Sequence, residues 1–341
     1  MRRLLFLAVS LFVCTVDLHA QEGERRRGGF RRRERDPATV VLTNVTYQRI
    51  TFETANLTSK SANYGVYLPP GYDDPANATR KYPWIVWLHG MSEDDRDFHF
   101  GGAKILDEQI GSGALPPLVF IAASAPSRTL YANGEVEGNI RDLITKDLVA
   151  DVQKRFRVSD QREQRAVMGV SLGGMAALRF AFSDPTLFGA VATHSAAVFP
   201  EDPKELPEQH AGTVQRFGDR LGWYAVLGNP IDPEKFAAVN PTCLAHQLDE
   251  AKLKGLRIYF DAGDADRYGF GPANEHLSDV LDEVKVRHQF RLIQGGQHSW
   301  GGGTVQLALV ESLGFVAKGF PKAPAPPATP APAGSGGGAK H

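Results

Sequence analysis

The sequence predicts an α/β protein: a mainly parallel central sheet with helices on both faces, over residues 37–319. Three observations predict it. Strand-like and helix-like stretches alternate along that span, several strand candidates are continuous apolar runs, and the helical stretches carry one apolar stripe. "YGVYLPPGY" (64–72) holds a short strand, ended by two prolines and a glycine. "YPWIVWLHG" (82–90) and "LPPLVFIAAS" (115–124) are apolar throughout, as strands covered on both faces require. In "NIRDLITKDLVADVQKRF" (139–156), Ile140, Leu143, Ile144, Leu148, Val152 and Phe156 keep helical spacing. "RAVMGV" (165–170) is a strand and "GGMAALRFAF" (173–182) a helix, stopped by "SDP". "FGAVATHS" (188–195) and "LRIYFDAG" (256–263) are the next strands. Residues 274–284 form a helix with Leu277, Val280, Leu281 and Val284 on its buried stripe. "VRHQFRLI" (286–293) alternates as a strand, and "TVQLALVESLGFVAKGF" (304–320) closes the domain as a helix. The stretch 197–250, rich in Pro, Gly and charge, breaks this rhythm. It reads as an insertion with some helix of its own over the carboxyl edge of the sheet, either a partial lid or a surface excursion.

The two ends stand outside the fold. Residues 1–20 pair a basic start (Arg2, Arg3) with the apolar run "LLFLAVSLFVC" and end on Ala20, the pattern of a cleaved secretory signal peptide. The alternative is an uncleaved anchor; once the leader is cleaved, no membrane span is expected. Cys14 lacks the preceding small residue that a lipoprotein site needs. Residues 21–36 pack seven arginines among glycines and read as a disordered arm, either touching an anionic surface or serving as a solvated spacer. The Pro/Ala/Gly-rich tail (320–341) has no core-forming pattern. With the leader removed, Cys243 is the sole cysteine, which excludes an internal disulfide. It reads as a small buried hydrophobe or a free thiol. A net charge of -1 gives no reason to expect a nucleic-acid partner. Asn44, Asn56 and Asn77 fit N-x-T, a pattern common by chance.

The chemistry centres on Gly169-Val170-Ser171-Leu172-Gly173, a G-x-S-x-G between a strand and an amphipathic helix. The turn is so tight that side chains at both glycines would clash, and it lifts the Ser171 hydroxyl to the amino end of a helix, where the dipole favours negative charge. A hydroxyl needs a base to become a nucleophile. On such scaffolds the acid and then the histidine follow the serine in sequence. "FDAGDADRYG" ends a strand with Asp261, Asp264 and Asp266, and "LIQGGQHSWGG" sets His298 in a loop after the last strand. An acid reaching across to that histidine projects from the loop, which favours Asp266 or Asp264. "DAGDAD" lacks the spacing of a calcium loop, so no metal is expected. For the oxyanion, the backbone N–H of Leu172 is one donor, and that of Met91, after the Gly90 turn, is the second. His89 reads as a supporting residue that holds this loop. Trp87, Trp223, Tyr224 and Trp300 read either as aromatic surface for sugars or phenolic groups, or as core.

The runs "VYLPPGYDD…YPWIVWLHG", "DLVADVQKRFRVSDQREQRAVMGVSLGGMAALRFAFSDPTLFGAVATHSAA", "FDAGDAD" and "GGQHSW" resemble the esterase D / feruloyl esterase-like family of α/β-hydrolases, over residues 40–318. The resemblance implies an α/β-hydrolase fold and cofactor-free hydrolysis of esters or thioesters, with Ser171 as nucleophile and His298 as base. The family's acid ends a G-x-x-D pattern, here Gly263 to Asp266, which selects Asp266 and leaves Asp264 as runner-up. "HGMSEDDRDF" departs from the family's more glycine-rich loop, and this bears on Met91. The reading is therefore a secreted or envelope serine carboxylic ester hydrolase acting on feruloyl or acetyl esters of polysaccharide, or on small-molecule esters. Its rivals are an acyltransferase or peptidase on the same scaffold, and a non-catalytic envelope-binding protein.

Overall fold

The structure, a computed structural model, describes residues 36–321 except 127–128, 135, 299 and 301–303. The expected leader (1–20), all but the last residue of the arm (21–36) and nearly all of the tail (320–341) lie outside the described residues. The chain divides into two units, Met1–Thr39 and Val40–His341. The described part of the first holds a 3-10 turn over Pro37–Thr39.

The second unit is organised by strands whose apolar residues alternate between two cores. They are β1 (Thr46–Glu53), β2 (Ser61–Leu68), β3 (Trp84–Leu88), β4 (Val119–Ala123), β5 (Arg165–Val170), β6 (Ala190–His194), β7 (Arg257–Gly263) and β8 (Gln289–Ile293). They pair in the order β1-β2-β4-β3-β5-β6-β7-β8. β2 is antiparallel to β1 and β4, and the remaining neighbours are parallel. In β3, Trp84, Val86 and Leu88 join one core, and Ile85 and Trp87 the other, because successive side chains point to opposite faces. On the first face lie α5 (Leu172–Ser183) and α11 (Phe270–Glu283); on the second lie α1 (Asp95–Gly101), α2 (Ala103–Gly111) and α12 (Thr304–Ala317). The expected mainly parallel sheet, with helices on both faces, is the architecture observed. Among the described residues no helix is long and apolar enough to cross a membrane.

Connectivity explains where a ligand can bind. From β3 the chain crosses to β4 on one side, then returns over β3 to β5 on the other. The loops after β3 and β5 therefore part at the carboxyl edge and leave a crevice.

The elements differ from the sequence expectation in three places. β1, α1 and α2 were not anticipated. The helix expected over 139–156 is α3 (Ile140–Asp142), a π-helical stretch (Leu143–Leu148) and α4 (Val149–Arg155). α11 begins at Phe270, about one turn before the expected start at residue 274. Within 197–250, where some helix is expected, the chain forms α6 (Glu208–Leu221), α7 (Tyr224–Leu227), α8 (Pro233–Val239) and α9 (Pro241–Ala245), and α10 (Glu250–Leu253) starts at its end.

Asp107, buried in α2, anchors the approach to β1. Its carboxylate accepts the backbone N–H groups of Thr43, Asn44 and Val45 at 2.7–3.2 Å. Burial pushes this carboxyl up, but those N–H groups outweigh it and hold its pKa below the usual 3.8.

Candidate active site

Ser171 sits between the last residue of β5 and the first of α5, with φ 55° and ψ -117°. A non-glycine residue there is strained by about 1–3 kcal/mol, so the surroundings must hold it. They do so through the backbone. The Ser171 N–H donates to the His194 carbonyl at 2.9 Å, and its carbonyl accepts the N–H of Ala197 at 2.9 Å. The flanking glycines are sterically required. A Cβ on Gly173 would lie 2.1 Å from the Leu88 carbonyl oxygen, and one on Gly169 would lie 2.5 Å from that of Gly173. Leu172 opens α5, where first-turn N–H groups have no intrahelical carbonyl to bind.

His298 and Asp266 reach this serine from two other strand ends. His298 Nε2 is 2.9 Å from Ser171 Oγ, and Nδ1 is 2.7 Å from Asp266 Oδ2. A carboxylate only accepts, so Nδ1 carries the proton and Nε2 is free to accept from the serine hydroxyl. The Asp266 side chain is fully buried and that of His298 nearly so. Asp266 Oδ1 also accepts the Tyr268 N–H at 2.9 Å, which fixes the carboxylate plane. The Tyr268 ring meets the imidazole edge-on, with centroids 4.7 Å apart. Asp264 is exposed and accepts the Gly295 N–H at 2.7 Å, so it braces the base loop rather than facing the imidazole. The two loops touch backbone to backbone: a Cβ on Gly263 would lie 1.9 Å from the Gly296 carbonyl oxygen.

The loop after β3 supplies the third side. His89 is fully buried, and burial holds its imidazole below the usual range, keeping it neutral. Its Nε2 accepts the Ala125 N–H at 3.2 Å, so Nδ1–H donates to the Gly90 carbonyl at 2.7 Å. Tyr131 Oη donates to the His89 carbonyl at 2.9 Å. Gly90 and Met91 line the same cavity as Ser171. Glu93, which the sequence reading did not single out, accepts the Gly90 N–H at 2.8 Å and lines it too.

That cavity is about 510 Å³ and has Ser171, Leu172 and His298 in its wall. Phe217 and Trp223 enter it from the 197–250 segment, Tyr268 and Phe270 from the region after Asp266, and Trp300 from the base loop. Of the four aromatic candidates, Trp223 and Trp300 line the cavity. Trp87 does not, being 1% exposed and packed in the core beside Phe98 and Trp300. Nor does Tyr224 line it; its ring packs against Gly218. Sequence reasoning also passed over His194, whose buried pairing with Asp261 lies directly behind the elbow. The signal available was the strand period, which places Asp261 on the same face of β7 as the buried Tyr259.

The family described as Putative esterase matches residues 55–311. An uncharacterized protein of Corynebacterium glutamicum is 25% identical over 268 residues, covering 74% of this chain and 56% of that protein. A protein of Xylanibacter ruminicola named endo-1,4-beta-xylanase/feruloyl esterase is 25% identical over 166 residues, covering 46% of this chain and 23% of that protein. The chain thus spans about half or less of the length of these curated relatives. A solved structure named ferulic acid esterase superposes with TM-score 0.65 and 24% identity, over 82% of this chain and 99% of that one. That likeness shows the fold.

Proposed function

The chain belongs to the esterase D / feruloyl esterase-like family, on the α/β-hydrolase fold, and from that premise we propose that it is an exported serine carboxylic ester hydrolase. The observation that carries the reading is the line of contacts from Ser171 Oγ to His298 Nε2 at 2.9 Å and from Nδ1 to Asp266 at 2.7 Å. Ser171 attacks the ester carbonyl while His298 accepts its proton. Asp266 holds the imidazole in the productive tautomer and stabilises the cation that forms. The N–H groups of Leu172 and Met91 bind the tetrahedral oxyanion, and His298 then protonates the leaving alcohol. Water, activated by the same imidazole, releases the acid from the acyl-enzyme. Nothing in these steps calls on a cofactor.

The substrates are acyl esters of polysaccharide, feruloyl or acetyl, or smaller esters of the same kind. The leader-like first twenty residues support export. The aromatic wall of Phe217, Trp223, Tyr268 and Trp300 suits a flat phenolic acyl group. The relative named as a feruloyl esterase points the same way.

Ser171→Ala tests the reading. The variant should keep the wild-type melting temperature, lose labelling by a fluorophosphonate probe, and lose ester turnover by about 10⁴-fold or more. Retained hydrolysis of acetyl and feruloyl esters by that variant would refute it.

A further inference from the structure

Behind the elbow lies a second serine–histidine–aspartate contact that the proposed mechanism leaves unused. His194 ends β6 and pairs in register with Asp261 of β7. His194 Nδ1 is 2.8 Å from Asp261 Oδ2, and Nε2 is 3.0 Å from the Ser312 hydroxyl in α12. Both side chains of the His194–Asp261 pair are 0% exposed. The Asp261 carboxyl is fully buried, and burial pushes it above its usual range against the opposing pull of His194 and the Tyr259 hydroxyl. Apolar residues would fill such a position at lower cost, so packing alone does not account for the pair.

What the pair touches gives it a role. The His194 carbonyl accepts the Ser171 N–H at 2.9 Å, so the same residue holds the strained elbow. The next residue, Ser195, has a left-handed φ of 44°, and its N–H donates to the Asp261 carbonyl at 2.8 Å. Ser195 Oγ meets Thr304 Oγ1 at 2.8 Å, at the start of α12. The Thr304 N–H donates to the Gln297 carbonyl at 3.1 Å, immediately before His298. Asp261 stands five positions before Asp266, on the strand that delivers it. Elbow, acid strand and base loop thus meet at residues 194 and 195.

We propose that His194, clamped between Asp261 and Ser312, is a positioning residue that keeps the carriers of Ser171, Asp266 and His298 in register. The inference rests on the triad reading above. Misplacing reacting groups by about 1 Å costs up to roughly 100-fold in rate, so the clamp acts on turnover rather than on substrate binding.

The test uses the full chain and three variants. Ser312→Ala cuts only the α12 end of the clamp, His194→Phe removes both polar ends while keeping a ring, and His194→Asn restores an N–H toward Asp261. Active serines are titrated with a fluorophosphonate, kcat and KM are measured per titrated site on an aryl ester, and melting is followed separately. Ser312→Ala should lower kcat per site about tenfold with KM within about twofold, and His194→Phe about 100-fold, with His194→Asn recovering part of the loss. Wild-type kcat per titrated site in Ser312→Ala, alongside a lowered melting temperature, would overturn the proposal and leave a structural clamp. Should His194→Phe fail to fold, Ser312→Ala still decides. A wild-type protein that takes no label and hydrolyses no ester would instead refute the triad reading, an outcome distinct from either.

Discussion

Asp266 divides its two carboxylate oxygens between the Tyr268 N–H and the His298 imidazole. That division separates it from its neighbours in "DAGDAD". Asp264 is turned outward onto the Gly295 N–H, and Asp261 is turned inward onto His194. Asp266→Asn should lower kcat by about 10³- to 10⁴-fold with little change in KM, because an amide supports the wrong imidazole tautomer. Asp264→Asn should stay within about threefold, since its partner is a loop N–H that can turn to water. Steady-state kinetics on one ester checks both. The order of serine, acid and histidine along the chain was enough to bring Ser171 and His298 forward as candidates. The choice among three carboxylates spaced within six residues was not legible from the residues alone, because it depends on how one turn folds back on the Gly263 carbonyl. The G-x-x-D resemblance singled out the carboxylate that faces the imidazole.

Among the elements, the apolar strands were legible because each is buried on both faces, as β3, β4, β5 and β6 are throughout. The helices α1 and α2 were not. Gly101 and Gly102 interrupt the helical pattern, and the two pieces together bury only four apolar residues, Phe98, Ala103, Leu106 and Ile110, beside the polar Asp95, Asp97, His99 and Asp107. A capping box formed by Asp94 and Asp97 was the local signal that marks the start of α1. β1 escaped notice because of its eight residues only Phe52 is buried. Asp107 gives this region a measurable signature. Its folded pKa lies below the unfolded value of about 3.9, so its contribution is complete above that pH and is lost as pH falls through the folded pKa. At pH 7, Asp107→Asn should cost about 2–3 kcal/mol of unfolding free energy, since three backbone donors lose a charged acceptor. The gap between variant and wild type should close as urea melts are repeated toward pH 2. A gap that stays constant with pH would assign the effect to packing.

At the level of the whole molecule, the crossover from β4 back over β3 to β5 opens the crevice, and the 197–250 segment helps to wall it. The alternation of strand and helix predicted the sheet. It did not predict the wall: His210, Val214 and Phe217 keep helical spacing in α6, but that spacing does not say that the helix faces the crevice. Phe217 is half-buried and contributes one ring to the cavity. Phe217→Ala should raise KM about tenfold for a feruloyl ester, the worth of one good aromatic contact, and leave an acetyl ester within about twofold. Equal effects on both esters would place the acyl group elsewhere in the cavity.

The Gly263–Gly296 contact has a bearing on how such a protein diversifies. Where two backbones approach so closely that no Cβ fits, mutation has almost no room. The acid and base loops are thereby frozen as a pair, as the elbow is by Gly169 and Gly173. Phe217 and Trp223 are under no such restriction from the elbow, because they arrive on a separate excursion of the chain. Selection, or an engineer varying Phe217 and Trp223 themselves, can therefore retune what the pocket accepts while the reacting atoms stay in place.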